Sequence, residues 1–301
     1  MLIAHLSDLH LRDGIDVAWL DRQLDHIAAR NPDHLAVTGD VLDRWDPVLL
    51  TRALDSFAAH GLLEAARLTL LHGNHDLASS GGHPRGGSDL WRLALRFWDP
   101  PPLIAWRRRR FLAMVQQRAV GVAAAAPFLK TIGAHARIAV IDTVPIPWRP
   151  VRYERGRVTV RHAIGCVRAA DGAWLARQQG HEPLILLTHH YPLDAPPFRW
   201  TPETQGRRAR WAAALRNVVR EVNVPMEIAP ADRDVLWAAA RQARVRLVLC
   251  GHVHRARLEW HEGIAVGLNG QSGAHWAGRP VAFYSVDDGS VTVEMWRPEP
   301  Q

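Results

Sequence analysis

Short apolar runs alternate along the chain with longer stretches of helical period. Leu2–Leu6, His34–Thr38, Leu68–Leu71, Arg137–Ile141, Leu184–Thr188 and Arg246–Cys250 each read as a buried strand, short and mostly aliphatic. Between the first two, Leu20, Leu24 and Ile27 recur on one helix face over Val17–Arg30. Leu49, Leu50, Leu54 and Phe57 do the same over Val48–His60. Strand, helix and strand in repetition predict an α/β layered fold. After Gly251 the pattern becomes strand upon strand: Gly263–Leu268, then Val281–Val286 turning at Gly289 into Val291–Trp296, which predicts a terminal β-meander.

Two stretches break the alternation. Residues 79–133 open on Ser-Ser-Gly-Gly-His-Pro-Arg-Gly-Gly and continue through Trp91, Phe97, Trp98, Trp106 and the run Arg107–Arg110. Residues 194–234 hold Pro196, Pro197, Trp200, Arg207, Arg208, Arg210 and Trp211. Both read as helical cap insertions in a single domain spanning 1–301. The chain is long for one domain, but α/β folds reach this size as one.

Composition narrows the class. With 48% hydrophobic residues the chain can bury a sizeable core, and 22% charged residues is ordinary for a soluble protein. Its formal net charge of +7 favours anionic partners. Lys130 is the only lysine, so the other basic residues are all arginine, a bias that genome composition explains at least as well as nucleic-acid binding. Cys166 and Cys250 have no metal or disulfide spacing, which fits a reducing cytoplasm. The N-terminus runs straight into a strand pattern without the features of a signal peptide. No apolar run is long enough to span a bilayer.

Five clusters follow predicted strands, at the carboxyl ends where α/β sheets place ligand sites. Asp8-Leu9-His10 puts a carboxylate and an imidazole two residues apart, able to share a metal. In Gly39-Asp40-Val41-Leu42-Asp43, Gly39 permits a tight turn and the two oxygens of Asp40 are able to bridge two cations; the same motif also suits a helix cap. In Gly73-Asn74-His75-Asp76, Asn74 offers a neutral oxygen ligand and His75 is left for acid chemistry. His189-His190 and Gly251-His252-Val253-His254 supply imidazoles. Each alone is a commonplace loop, but the ordered set is not.

This set resembles the calcineurin-like metallophosphoesterases, over residues 8 to 254 of the chain. The resemblance implies a central β-sandwich flanked by helices with a dinuclear metal centre at one edge. It implies that Asp8, His10, Asp40 and His254 hold one metal, and that Asp40, Asn74, His189 and His252 hold the other, with His189 chosen over His190. It further implies that a hydroxide held between the metals attacks phosphorus, that His75 is the general acid and that Asp43 orients it. Oxygen and nitrogen donors without thiolate suit two divalent ions such as Mn, Fe or Zn.

The substrate stays open at this level. Trp174-Leu175 resembles the bacterial cyclic-nucleotide phosphodiesterase branch and points to a small anionic phosphoester. The aromatic and Arg-rich 79–133 stretch suits a lipid-linked pyrophosphate or phospholipid, with peripheral contact at the inner membrane face. UDP-diacylglucosamine pyrophosphohydrolases share the plan but typically carry Arg where this chain has His75. Net charge alone favours a nuclease, and an interaction module on the same fold is the non-enzyme alternative.

Overall fold

A computed structural model describes residues 1–78, 99–133, 136–146, 151–154, 157–160, 164–194, 227–270, 272–273, 281–287 and 290–296. The first sheet contains β1 (Leu2–Leu6), β2 (His34–Val37), β3 (Leu68–Leu70), β12 (Val281–Val286) and β13 (Val291–Trp296), in the order β13-β12-β1-β2-β3. The second contains β4 (Phe128–Ile132), β5 (Ala136–Val140), β8 (Leu184–Leu187), β9 (Val245–Cys250), β10 (Ala256–His261) and β11 (Ile264–Asn269), in the order β10-β11-β9-β8-β5-β4. A separate hairpin joins β6 (Val151–Glu154) to β7 (Arg157–Val160). The helices are α1 (Gly14–Arg30), α2 (Pro47–Ala59), α3 (Pro101–Arg118), α4 (Ala169–Ala176) and α5 (Pro230–Gln242).

Alternation along the strands explains the layering. In β1, Ile3 belongs to the apolar cluster between the sheets, while Ala4 and Leu6 face the α1–α2–α3 side. In β8, Ile185 and Leu187 face the other sheet, while Leu184 and Leu186 pack in the cluster with α4 and α5. Strands buried on both faces need apolar residues throughout, which is why they are legible as unbroken runs. The result is a helix–sheet–sheet–helix stack, the sandwich flanked by helices that the resemblance implies.

Helix boundaries follow local chemistry. The N-cap of α2 is Asp46, whose Oδ1 accepts from Val48 N (3.0 Å) and Leu49 N (3.1 Å), with Pro47 at the first helical position. Asp43 is thus spared the capping role that its motif also suited. Asn31 closes α1 with φ 44°, its N–H donating to Ile27 O at 3.1 Å.

Three expectations change. The terminal strands are not one meander. β11 lies in the second sheet, parallel to β9, whereas β12 and β13 complete the first sheet. The described part of the 79–133 stretch builds the domain: Phe111 and Val115 of α3 are fully buried and β4 is an edge strand. The run Arg107–Arg110 is not a uniform basic face. Arg107 pairs with Asp99 (3.1 Å) and donates to Leu77 O (2.7 Å), and Arg108 lies 3.2 Å from Asp142, leaving Arg109 and Arg110 exposed. Residues 79–98, including Trp91, Phe97 and Trp98, lie outside the described residues. So do residues 195–226, including Trp200, Arg207, Arg208, Arg210 and Trp211.

His34 shows how the buried polar interior responds to acid. Its Nδ1 donates to Ala66 O (2.9 Å), its Nε2 lies 2.8 Å from Thr69 Oγ1, and burial, with Lys130 nearby, pushes its pKa down to about 4. Because the folded value lies below the ordinary 6.5, the contribution is complete above that pH and is lost as pH falls toward 4. Urea midpoints for wild type and His34→Gln should therefore diverge across this window. Wild type should lose up to about 3 kcal/mol more than the variant on acidification.

Candidate metal centre

Loops leaving β1, β2, β3, β8 and β9 converge at one edge of the sandwich. Parallel pairing places these carboxyl ends side by side, and the main chain continues the register beyond the strands. Asp8 N donates to Gly39 O (3.0 Å), His10 N to Asp40 O (2.9 Å) and Gly251 N to His189 O (3.0 Å). The turns are unusually tight. Of eight non-glycine residues with positive φ among those described, five are Asp8, His10, Asp40, His252 and His254. The other three, Asn31, Arg244 and Glu262, sit at helix ends and a hairpin turn, where such geometry is routine. Left-handed backbone in bulky residues costs on the order of 1–3 kcal/mol each and persists where surrounding structure enforces it, most often at functional sites. Gly39 (φ 104°) is part of that enforcement, since a Cβ there would sit 2.6 Å from Gly73 N.

The converging side chains form two overlapping groups. His254 Nε2 lies 3.3 Å from Asp8 Oδ1, His10 Nε2 lies 3.7 Å from the same oxygen, and the two imidazole nitrogens are 3.2 Å apart. Asp40 Oδ2 is 3.5 Å from His189 Nε2 and 3.8 Å from His10 Nε2, placing Asp40 between the groups. Asn74 Oδ1 lies 2.9 Å from His189 Nε2. Three sets meet the geometry for a metal ion: Asp8, His10 and His254; Asp40, His189 and His252; and His10, Asp40 and His75. Asp8, His10, Asp40 and His189 are wholly buried.

The carboxylates show which of their atoms are spare. Asp8 Oδ2 accepts from Ser7 Oγ (2.6 Å) and His252 N (2.9 Å), and Asp40 Oδ1 accepts from His75 N (2.7 Å). The second oxygen of each, Asp8 Oδ1 and Asp40 Oδ2, is buried and accepts no hydrogen bond. A buried anionic oxygen without a donor is costly unless a cation meets it. These oxygens are the ones the imidazoles surround, so the donor set fits divalent metal ions. Burial alone would raise both carboxyl pKa values. The His10 and His254 rings nevertheless hold Asp8 well below the ordinary range, and His189 and His75 do the same for Asp40. Burial would lower His189, but Asp40 beside it carries its pKa up to about 9; burial and the His189 charge push His252 down to about 3.

His75 sits differently from the other imidazoles. Its Nδ1 donates to the main-chain carbonyl of Asp43 (3.0 Å) and lies 3.6 Å from Asp43 Oδ1, while its Nε2 is 3.9 Å from Asp40 Oδ2. Asp43 Oδ1 is also 3.7 Å from His10 Nδ1, so one carboxylate stands behind both rings. His190 is in none of the three sets; its Nδ1 lies 2.9 Å from Thr143 Oγ1 while its ring packs against those of His189 and His252.

Several supporting residues had no role in the sequence reading. Asp76 accepts from Gly73 N (2.7 Å) and Leu42 N (2.8 Å), tying the β2 and β3 loops together. Burial, then repulsion from Asp40, pushes its pKa up to about 6. Thr38 O accepts from His189 Nδ1 (2.8 Å) and fixes that ring. Ser272 Oγ accepts from Ser7 N (3.1 Å), supporting the Asp8 turn from far along the chain. Asp76 belongs to the Gly73-Asn74-His75-Asp76 motif, but nothing in the sequence singles out Ser272 or Thr143. Trp174 and Leu175 pack with the α4–α5 cluster and do not reach the centre's ligand sets.

The sandwich and its buried His/Asp cluster define a phosphoesterase fold with residues able to hold metal. The calcineurin-like phosphoesterase family model matches residues 1–256, and the chain belongs to that family, whose members depend on a dinuclear metal centre. Among solved structures, a dimetal phosphatase from Danio rerio is similar with a TM-score of 0.57 at 11% identity, covering 98% of this chain and 95% of its own. The TT1561 protein of Thermus thermophilus has a TM-score of 0.53 at 10% identity, covering 98% of both chains. At such identities the likeness is one of fold. No curated protein matches the sequence. No helix among the described residues is long and apolar enough to cross a membrane.

Proposed function

We propose that this phosphoesterase hydrolyses a small phosphodiester, with Asp8, His10, Asp40 and His254 holding one divalent ion and Asp40, Asn74, His189 and His252 holding a second. The observation behind this reading is the pair of buried carboxylate oxygens, Asp8 Oδ1 and Asp40 Oδ2, each ringed by imidazoles and lacking a hydrogen-bond donor. When bound, the ions supply Lewis-acid activation of water and neutralise charge developing on the phosphoryl oxygens.

The chain's own residues do the rest. Ser7 and His252 N orient Asp8, while His75 N orients Asp40, so the spare oxygens point where cations are needed. Thr38 O fixes the His189 ring so that Nε2 faces Asp40. His75, held at Nδ1 by the Asp43 carbonyl, presents Nε2 toward the centre, and in its protonated form delivers a proton to the departing alkoxide. The Asp43 carboxylate favours that protonated form.

The test compares hydrolysis of bis(p-nitrophenyl) phosphate and p-nitrophenyl phosphate, with manganese, iron or zinc and after chelation. Metal-dependent turnover, faster on the diester, is expected. Turnover that survives complete chelation would overturn the metal assignment, and a strong monoester preference would overturn the diester one.

A further inference from the structure

After β11 the chain leaves the second sheet for β12 in the first, and Gly270 and Gly273 on that crossing press against two of the ligand loops. A Cβ on Gly270 would sit 2.4 Å from His254 N, and one on Gly273 would sit 2.3 Å from Leu9 O. Both contacts are with main chain, which cannot yield as a side chain does, so the approach requires glycine. The crossing lies beyond residues 1–256, the stretch that the family model matches.

Between those glycines, Ser272 grips Ser7 at two points. Leu6 O and Asp8 N are taken on the β2 side, by Thr38 N and Gly39 O, and β12 pairs with β1 as far as His5. At Ser7 the partner is Ser272: its Oγ accepts from Ser7 N (3.1 Å) and its N donates to Ser7 O (3.0 Å). Ser272 is fixed in turn by α1, since its carbonyl accepts from Trp19 Nε1 (3.2 Å) and Gln23 Nε2 (2.8 Å). Asn269 adds a bond from Nδ2 to His5 O (2.7 Å). Ser7, Gln23, Asn269 and Ser272 are wholly buried, where water does not replace a lost partner.

The link ends on a carboxylate. Ser7 Oγ donates to Asp8 Oδ2 at 2.6 Å, a short, charge-assisted bond. With Oδ2 so held, Oδ1 is turned to His254 and His10, 3.3 and 3.7 Å away. The neighbouring group is braced by other residues: Thr38 O fixes the His189 ring, and His75 N holds Asp40.

We propose that Ser272, acting through Ser7, is a positioning residue for Asp8 and sets the affinity of the metal position that Asp8 shares with His10 and His254. The inference rests on the assignment of those three residues to a metal ion.

Isothermal titration of manganese into metal-stripped full-length protein tests it without turnover. Wild type should show two binding events, and His254→Ala identifies the one that belongs to the Asp8 position. Ser272→Ala should weaken that event about 10-fold or more and leave the other within about twofold, the scale on which residues behind a ligand act. Ser7→Ala, which leaves the main-chain grip of Ser272 in place, should weaken the same event. The double variant should weaken it by less than the product of the two single effects, because both act through one carboxylate. Thr69→Val removes a buried contact to His34 Nε2 far from Ser272 in the chain, controls for lost stability alone, and should leave both events unchanged. Either serine variant binding manganese as wild type does, or Ser272→Ala weakening both events equally, would overturn the positioning role and leave the metal assignment standing. Wild type that binds no manganese, iron or zinc would overturn that assignment and the inference with it.

Discussion

Asp40→Asn is expected to deplete both metal positions at once and to lower turnover by roughly 10³-fold or more, the scale of losing several kcal/mol of charge stabilisation. Its Oδ2 stands between the His10 and His189 nitrogens, 3.8 and 3.5 Å away, a position that lets one carboxylate serve both groups. Asn is a cleaner replacement than Ala for two structural reasons. Asp40 has φ 51°, which Asn tolerates better than most residues, and an amide oxygen can still accept from His75 N. Elemental analysis reads the outcome directly. Two metals retained at full occupancy would remove Asp40 from the bridging role, whatever the activity. Asp8→Asn, by contrast, should weaken chiefly the position shared with His10 and His254.

His75→Ala should retain metal and lose about 10²–10⁴-fold in turnover on an ester with a poor leaving group, while losing far less with p-nitrophenolate as leaving group. The contrast follows from what a general acid supplies: a good leaving group departs without a proton. The same variant separates two readings of the geometry, because His75 also lies in a possible metal set with His10 and Asp40. Loss of metal on substitution would make His75 a ligand. Retained metal with unchanged turnover on both esters would leave it no role in either. The tether at Nδ1 to the Asp43 carbonyl, and the different posture it gives the ring, favour proton transfer.

Much of the architecture was legible from the strands, and the reason is their burial. Leu184–Leu187 and Val245–Cys250 lie between layers and carry apolar side chains on both faces, so sequence and environment coincide. β10 was missed because Ala256–His261 is an edge strand with mixed, half-buried residues and no clear alternation. α3 was hidden by its own arginines: Arg107 and Arg108 are polar in sequence yet packed through ion pairs and carbonyl contacts. The terminal strands are legible one by one, but their sequence alone suggests a single meander, because pairing partners are decided by segments far away. β11 meets β9, and β12 meets β1.

The chain by itself determined which groups are available for chemistry. The order Asp8, His10, Asp40, Asn74, His75, His189, His252 and His254, each following an apolar run, follows from local strand propensity and the tight turns at strand ends. Tertiary structure decided what those groups are to one another. Parallel pairing aligns the strand ends within each sheet, and the packing of one sheet on the other brings His10 and His254, 244 positions apart, to 3.2 Å. Burial then strips donors from one oxygen each of Asp8 and Asp40, and hydrogen bonds from Ser7, His252 and His75 aim what remains. Those are properties of distance and desolvation, which a linear pattern does not contain.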